Sequence, residues 1–186
     1  MSVIDTIEFF RALYPEDAQG HTYLWTLPDK RTQVFAAAAH AEMAQAARKT
    51  GDTGKDVYFS VGLSERLFRP HERAKSTDIV AIPALWVDID IAGDAHAAKS
   101  LPPDYAAARA LLPEMFDPSI VVDSGHGIHA YYGFRELLDT RTDAEQSTAQ
   151  DLLRRLQGAV RARAEAKGWH VDSTPDLCRV LRVPGT

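Results

Sequence analysis

The sequence predicts an α/β (α+β) domain built around a mixed sheet. Three observations carry that expectation. Strand-like and helix-like segments alternate along all 186 residues. No repeat, low-complexity linker or block of like charge marks a domain boundary. Hydrophobic residues make up 45% and charged residues 25%, the range of ordinary globular chains rather than disordered ones. No apolar run approaches the roughly 18 residues of a spanning helix, and the N-terminal residues have no basic, apolar, small-residue order, so we expect no membrane partner and a cytoplasmic location. Cys178, the single cysteine, allows no internal disulfide. With scattered histidines it is too sparse for zinc, so none is expected in this segment.

The elements follow in order. Ile4, Ile7, Phe10 and Tyr14 recur at helical spacing until Pro15. His21 to Leu27 alternates as a strand. Val34 to Lys49, rich in alanine without internal Gly or Pro, reads as a helix, closed by the GDTGKD turn. Val57 to Gly62 is a second strand. A polar stretch with Arg69, His71, Arg73 and Lys75 leads into Ile79 to Ile91, the longest strand-like run, with Pro83 marking its entry or a bulge. Ala92 to Asp104 is a loop and Tyr105 to Met115 a helix. PSIVVDSG and IHAYYGF form a strand-turn-strand hairpin. Thr142 to Lys167 is a long helix with a Leu152, Leu153, Leu156, Val160 stripe. A last strand, WHVDST, precedes PDLCRVL.

Asp88 and Asp90 stand two apart in an apolar strand, so both carboxylates point to one face with Cα atoms about 6 to 7 Å apart. Two such carboxylates repel unless a cation lies between them, and oxygen donors suit Mg²⁺ or Mn²⁺; a solvent-facing strand end is the plain alternative. Asp172 is a candidate third carboxylate for a two-metal site, or a turn Asp before Ser173-Thr174-Pro175. The turn Ser124-Gly125-His126-Gly127-Ile128-His129 can bring backbone N–H groups, Ser124 and His129 toward phosphate oxygens, or can simply be a hairpin turn. Its histidines are three apart, unlike the alternate-residue pair of HUH-type nucleases. Arg179 and Arg182 offer bidentate guanidinium groups to phosphate, with Arg73 and Lys75 as weaker candidates; isolated arginines are also common salt-bridge partners. Trp25, Trp86, Tyr131 and Tyr132 are candidates for base stacking or for the core. The net charge of −5 argues weakly against nucleic acid, since binding depends on local fields.

The segments ALWVDIDI, IVVDSGHGIHAYY and HVDSTPDLCRVLRVPGT resemble, in sequence and order, the three motifs of the archaeo-eukaryotic primase superfamily, particularly the primase-polymerases of phages, plasmids and mobile elements. The resemblance runs from about Val57 to Thr186. It implies one catalytic domain over 1–186, with an N-terminal α/β part at 1–56 and a core related to the RNA-recognition fold at 57–186. It further implies template-dependent nucleotidyl transfer, as a DNA primase or polymerase, with two Mg²⁺ or Mn²⁺ ions on Asp88, Asp90 and Asp172. Ser124, Gly125, His126, Gly127, His129, Arg179 and Arg182 would hold the nucleotide. The partners are then a single-stranded DNA template and an NTP or dNTP. Relatives continue past the position of Thr186, so a C-terminal truncation and a following helical or helicase domain are expected. Two other readings remain open: a non-catalytic nucleic-acid-binding or replication-initiation module, and a DxD-type nucleotide-sugar transferase.

Overall fold

The computed structural model describes residues 3–93 and 100–186. Ile4's side chain and residues 94–99 of the expected 92–104 loop lie outside what is described. Two antiparallel sheets form the framework. The first has the order β2-β1-β3-β7, from β1 (His21–Leu27), β2 (Arg31–Ala36), β3 (Asp56–Ser60) and β7 (Val180–Arg182). The second has the order β4-β6-β5, from β4 (Ala81–Asp90), β5 (Ile120–Asp123) and β6 (Gly127–Asp139). Helices α1 (Val3–Leu13), α2 (His40–Gly51), α3 (Tyr105–Arg109) and α4 (Asp143–Glu165) complete it. The α+β class is as the sequence implies, but every paired strand is antiparallel, so the expected mixed sheet is two antiparallel ones. The first sheet draws β1 and β2 from residues 1–56 and β3 and β7 from the remainder.

Two apolar clusters divide the interior, and β4 feeds both. Ile82, Ala84 and Trp86 join Phe9, Phe10, Phe59 and Tyr131 between the sheets and α1. Val87 and Ile89 join Leu111, Ile128, Leu156 and Val160 under α3 and α4. Because strand side chains alternate, Asp88 and Asp90 share the face of Trp86. The register shifts between Ile82 and Ala84, which puts the irregularity at Pro83, where a ladder N–H is missing anyway. Thr142 caps α4 with a reciprocal capping box to Glu145, ending the connection from β6.

Four local expectations change. Val34 to Ala36 is strand, since Val34 and Phe35 pair with Tyr23 and Thr22, and α2 begins only at His40; ladder pairing overrides the alanine-rich propensity. The helix from Tyr105 ends at Arg109, and Leu111 and Leu112 are buried beyond it. Trp169 to Thr174 forms no ladder, because Trp169 N–H donates to Ala164 O (2.9 Å) and His170 N–H to Ser100 O (2.6 Å), turning that backbone toward α4 and the 100 loop. Trp86 and Tyr131 are fully buried, which removes them as stacking surfaces, and Tyr132 packs edge-on against Phe116.

Candidate active site

The antiparallel register sets His129 of β6 directly opposite Asp88 of β4, and Gly127 opposite Asp90. Asp88 Oδ1 lies 3.4 Å from His129 Nε2, and its Oδ2 accepts a hydrogen bond from Arg179 Nη2 at 3.1 Å. Strand β7 brings Arg179 there: it pairs with β3 in the first sheet, and Val61 N–H donates to the Arg179 carbonyl, while the guanidinium reaches across to the second sheet. One residue from each of three distant segments therefore meets at one carboxylate. Asp88 is 27% exposed and His129 only 6%. Burial pushes the Asp88 carboxyl up, but the hydrogen bond and charge of His129 and the Arg179 guanidinium outweigh it and hold it below the usual aspartate value. His129 Nδ1 and Arg179 Nε are buried without a hydrogen-bond partner, so each has a donor or acceptor position to spare.

The turn between β5 and β6 closes with Ser124 N–H on Gly127 O (3.0 Å). Gly125 has φ +84°, the left-handed region that suits glycine, whereas Gly127 is required by proximity: an added Cβ would stand 2.1 Å from Ile89 O. Gly125 N–H donates to Asp123 Oδ1 (2.8 Å) and His126 N–H reaches Ser124 Oγ at 3.4 Å. These two backbone donors are thus engaged within the turn. Alongside lies a groove of about 400 Å³ lined by Asp123, Ser124, Gly125, Arg182, Gly185 and Thr186, among others. Arg182 reaches it while bonded to Asp56 and, at 3.2 Å, to Thr186 O.

Asp172 lies on the coil after α4, 72% exposed, with His170 Nε2 2.8 Å from its Oδ1. Among the described residues no group of three or more His, Cys, Asp or Glu side chains is gathered so as to hold a metal. The structure thus joins Asp88, His129 and Arg179, sets Asp90 on the same strand, and brings Ser124, Gly125 and Arg182 to one groove. Sequence reasoning missed Tyr58, opposite Arg182 in the ladder, whose hydroxyl is raised by burial first and then by Asp56, Arg182 opposing and Asp88 adding. It also missed Gln157, buried in α4, whose Nε2 donates to Trp86 O (3.2 Å) and Thr174 O (3.4 Å) and whose Oε1 accepts from Ser173 (3.2 Å). A lone glutamine within the apolar stripe of α4 was the available signal.

No protein-family model and no curated protein matches the sequence. Among solved structures the chain is similar to the AEP domain of the cyanophage S-2L primase-polymerase. The TM-score is 0.56 and the identity 19%, over 97% of this chain and 80% of that one. The chain has the fold of an archaeo-eukaryotic primase domain.

Proposed function

We propose that this chain performs template-dependent nucleotidyl transfer, as a primase or DNA polymerase serving replication of a phage, plasmid or other mobile element. The observation that carries the reading is the meeting of Asp88, His129 and Arg179 in a largely buried cluster between the two sheets, beside a groove that holds Ser124, Gly125 and Arg182. Two carboxylates on one strand face give the oxygen donor set that Mg²⁺ or Mn²⁺ takes. Asp88 and Asp90 would be its ligands, with Asp172, which stands apart on its exposed coil beside His170, joining them as a third carboxylate. Divalent ions bound there would supply a lowered pKa for an attacking 3′-hydroxyl and counter-charge for the α-phosphate and the departing pyrophosphate.

The remaining roles belong to the chain's own side chains. His129 and Arg179 keep Asp88 ionised at neutral pH, so the ligand is ready without a proton to shed. Arg179 is also within reach of phosphate oxygens, and its unpartnered Nε marks an unused donor. Ser124, Arg182 and His126 hold the triphosphate through their side chains, with Gly127 keeping the turn tight against β4. Incubation of the chain with a single-stranded template, labelled NTPs or dNTPs and Mg²⁺ or Mn²⁺ tests this. Oligonucleotide product should appear and fall to background in Asp88→Asn and Asp90→Asn. Near-native product from either variant would remove the assignment. Nucleotide binding without turnover would favour the non-catalytic module.

A further inference from the structure

The groove beside the Asp88 cluster has two walls of unlike origin. One is the β5–β6 turn with Asp123, Ser124 and Gly125, and the other is the segment 182–186 at the end of β7. The first is a local turn closed by its own hydrogen bonds. The second leaves the sheet after Arg182 and curls at Gly185, whose φ of +79° is the left-handed region that suits glycine. Within the curl Thr186 Oγ1 donates to Val183 O at 2.9 Å, and Arg182 Nε donates to Thr186 O at 3.2 Å. The aim of the Arg182 guanidinium is therefore tied to where Thr186 sits.

Three contacts from α1 and α2 hold that curl from outside. Thr6 of α1, fully buried, donates its hydroxyl to Pro184 O at 3.3 Å. Arg48, in the last turn of α2, donates from Nη1 to Gly185 O. Gly51 ends α2 so close to Thr186 that a Cβ there would stand 3.0 Å from Thr186 Cβ and 3.2 Å from its Cα. Arg48 is held at some cost: its side chain is only 27% exposed, and its Nε is buried without a partner. Its one carboxylate neighbour, Asp52, is exposed and 3.9 Å away, a pairing that contributes little. Among the described residues that line the groove, none belongs to α1 or α2. Their effect on it passes through the backbone of 184–186.

We propose that Arg48 is a positioning residue for the groove: with Thr6 and Gly51 it seats the 184–186 curl, so that Arg182 presents its remaining N–H donors toward a triphosphate. With Nε on Thr186 O and Nη2 on Asp56, Arg182 meets phosphate through a fixed fork, and a displaced Thr186 turns that fork away from its ligand. The consequence falls on binding rather than on chemistry. Arg179 is seated independently, its N–H on Asp176 O at 3.0 Å and its carbonyl on Val61 N–H at 3.1 Å, so the pairing with Asp88 does not pass through the curl. The assignment rests on the nucleotidyl-transfer reading of the groove.

The test compares the full native chain with R48M, R48K and G51A by amide hydrogen exchange and by calorimetric titration with dATP in Mg²⁺. Val183 N–H donates to Val57 O at 2.9 Å and reports the seating of the curl. In R48M its exchange should quicken at least about tenfold, while the amides of β4 paired with β6 keep native rates. The dATP Kd should rise about tenfold and KM with it, with kcat within about twofold of native, and R48K, which keeps a charged donor, should recover most of the affinity. G51A separates positioning from stability: alanine favours helix over glycine, so the melting temperature should hold or rise, whereas the crowded Thr186 should raise the Kd about threefold. Native Val183 exchange in R48M, an unchanged Kd in both variants, or a kcat that falls with KM constant would overturn the proposal. Should R48M not melt cooperatively, a stable G51A with native Kd overturns it instead. Failure of the nucleotidyl-transfer reading registers separately, as a native chain that binds no dATP while Val183 exchange still responds to R48M.

Discussion

Gly127→Ala is the sharpest probe of how the turn is held against the acidic strand. The added methyl would stand 2.1 Å from Ile89 O and 2.9 Å from Asp90 Cα. Carbon and oxygen not bonded to each other come no closer than about 3.3 Å, so β6 must move off β4 by about 1 Å. That loosens about two ladder hydrogen bonds at about 1 kcal/mol each. Overpacking adds about 2 kcal/mol. About 4 kcal/mol in a chain of this size corresponds to a melting temperature lowered by roughly 8 to 16 °C. Gly125→Ala is the control, since nothing lies within 4 Å of its Cβ and only φ +84° opposes it; about 1 to 2 kcal/mol is expected. Calorimetric melting of both variants, with transfer activity measured well below each midpoint, decides the matter. Gly127→Ala should lose activity even while folded, because Asp90 pairs with it. A Gly127→Ala protein melting within about 3 °C of native, or a larger loss in Gly125→Ala, would refute the reasoning.

Two further outcomes follow from the same geometry. The Asp88 carboxyl is held below its ordinary value, so its ionic stabilisation is complete above the unfolded aspartate pKa of about 3.9 and is lost as pH falls through the lower folded value. In metal-free buffer, native and Arg179→Met proteins should therefore differ most in melting temperature near neutrality and converge in acid; a gap constant from pH 7 to pH 3 would contradict the pairing. Gln157→Leu strands polar groups at Trp86 O, Thr174 O and Ser173, at about 1 to 3 kcal/mol. It also frees the coil carrying Asp172, so transfer rate should fall more than dNTP affinity does; equal falls in both would argue against Gln157 as a positioning residue.

Much of the second sheet could be read from the chain. The apolar run into Asp88, the bulge at Pro83 and the hairpin around Ser124 to Gly127 are local patterns, set by alternation, a missing N–H and glycine chemistry. The first sheet was harder. Val34 to Ala36 continues without a break into alanine-rich helix, and only its partner Tyr23 to His21 makes it a strand. WHVDST alternates like a strand but meets no partner strand, the Trp169 and His170 N–H groups being taken by the Ala164 and Ser100 carbonyls. The Asp88–Arg179 pair spans 91 positions, and the groove joining Ser124 to Arg182 and Thr186 is equally non-local. No periodicity encodes such meetings; they are products of β7 returning to β3.

That return has a temporal side. The β5–β6 hairpin that carries His129 is nearly contiguous in the chain and can form within about 1 to 10 μs. Arg179 reaches Asp88 only after the 90 residues between them have been closed into a loop, an entropic step whose cost grows with the logarithm of the loop's length. The charge pairing at Asp88 therefore depends on the first sheet being closed, because the segment that carries Arg179 is held by the pairing of β7 with β3.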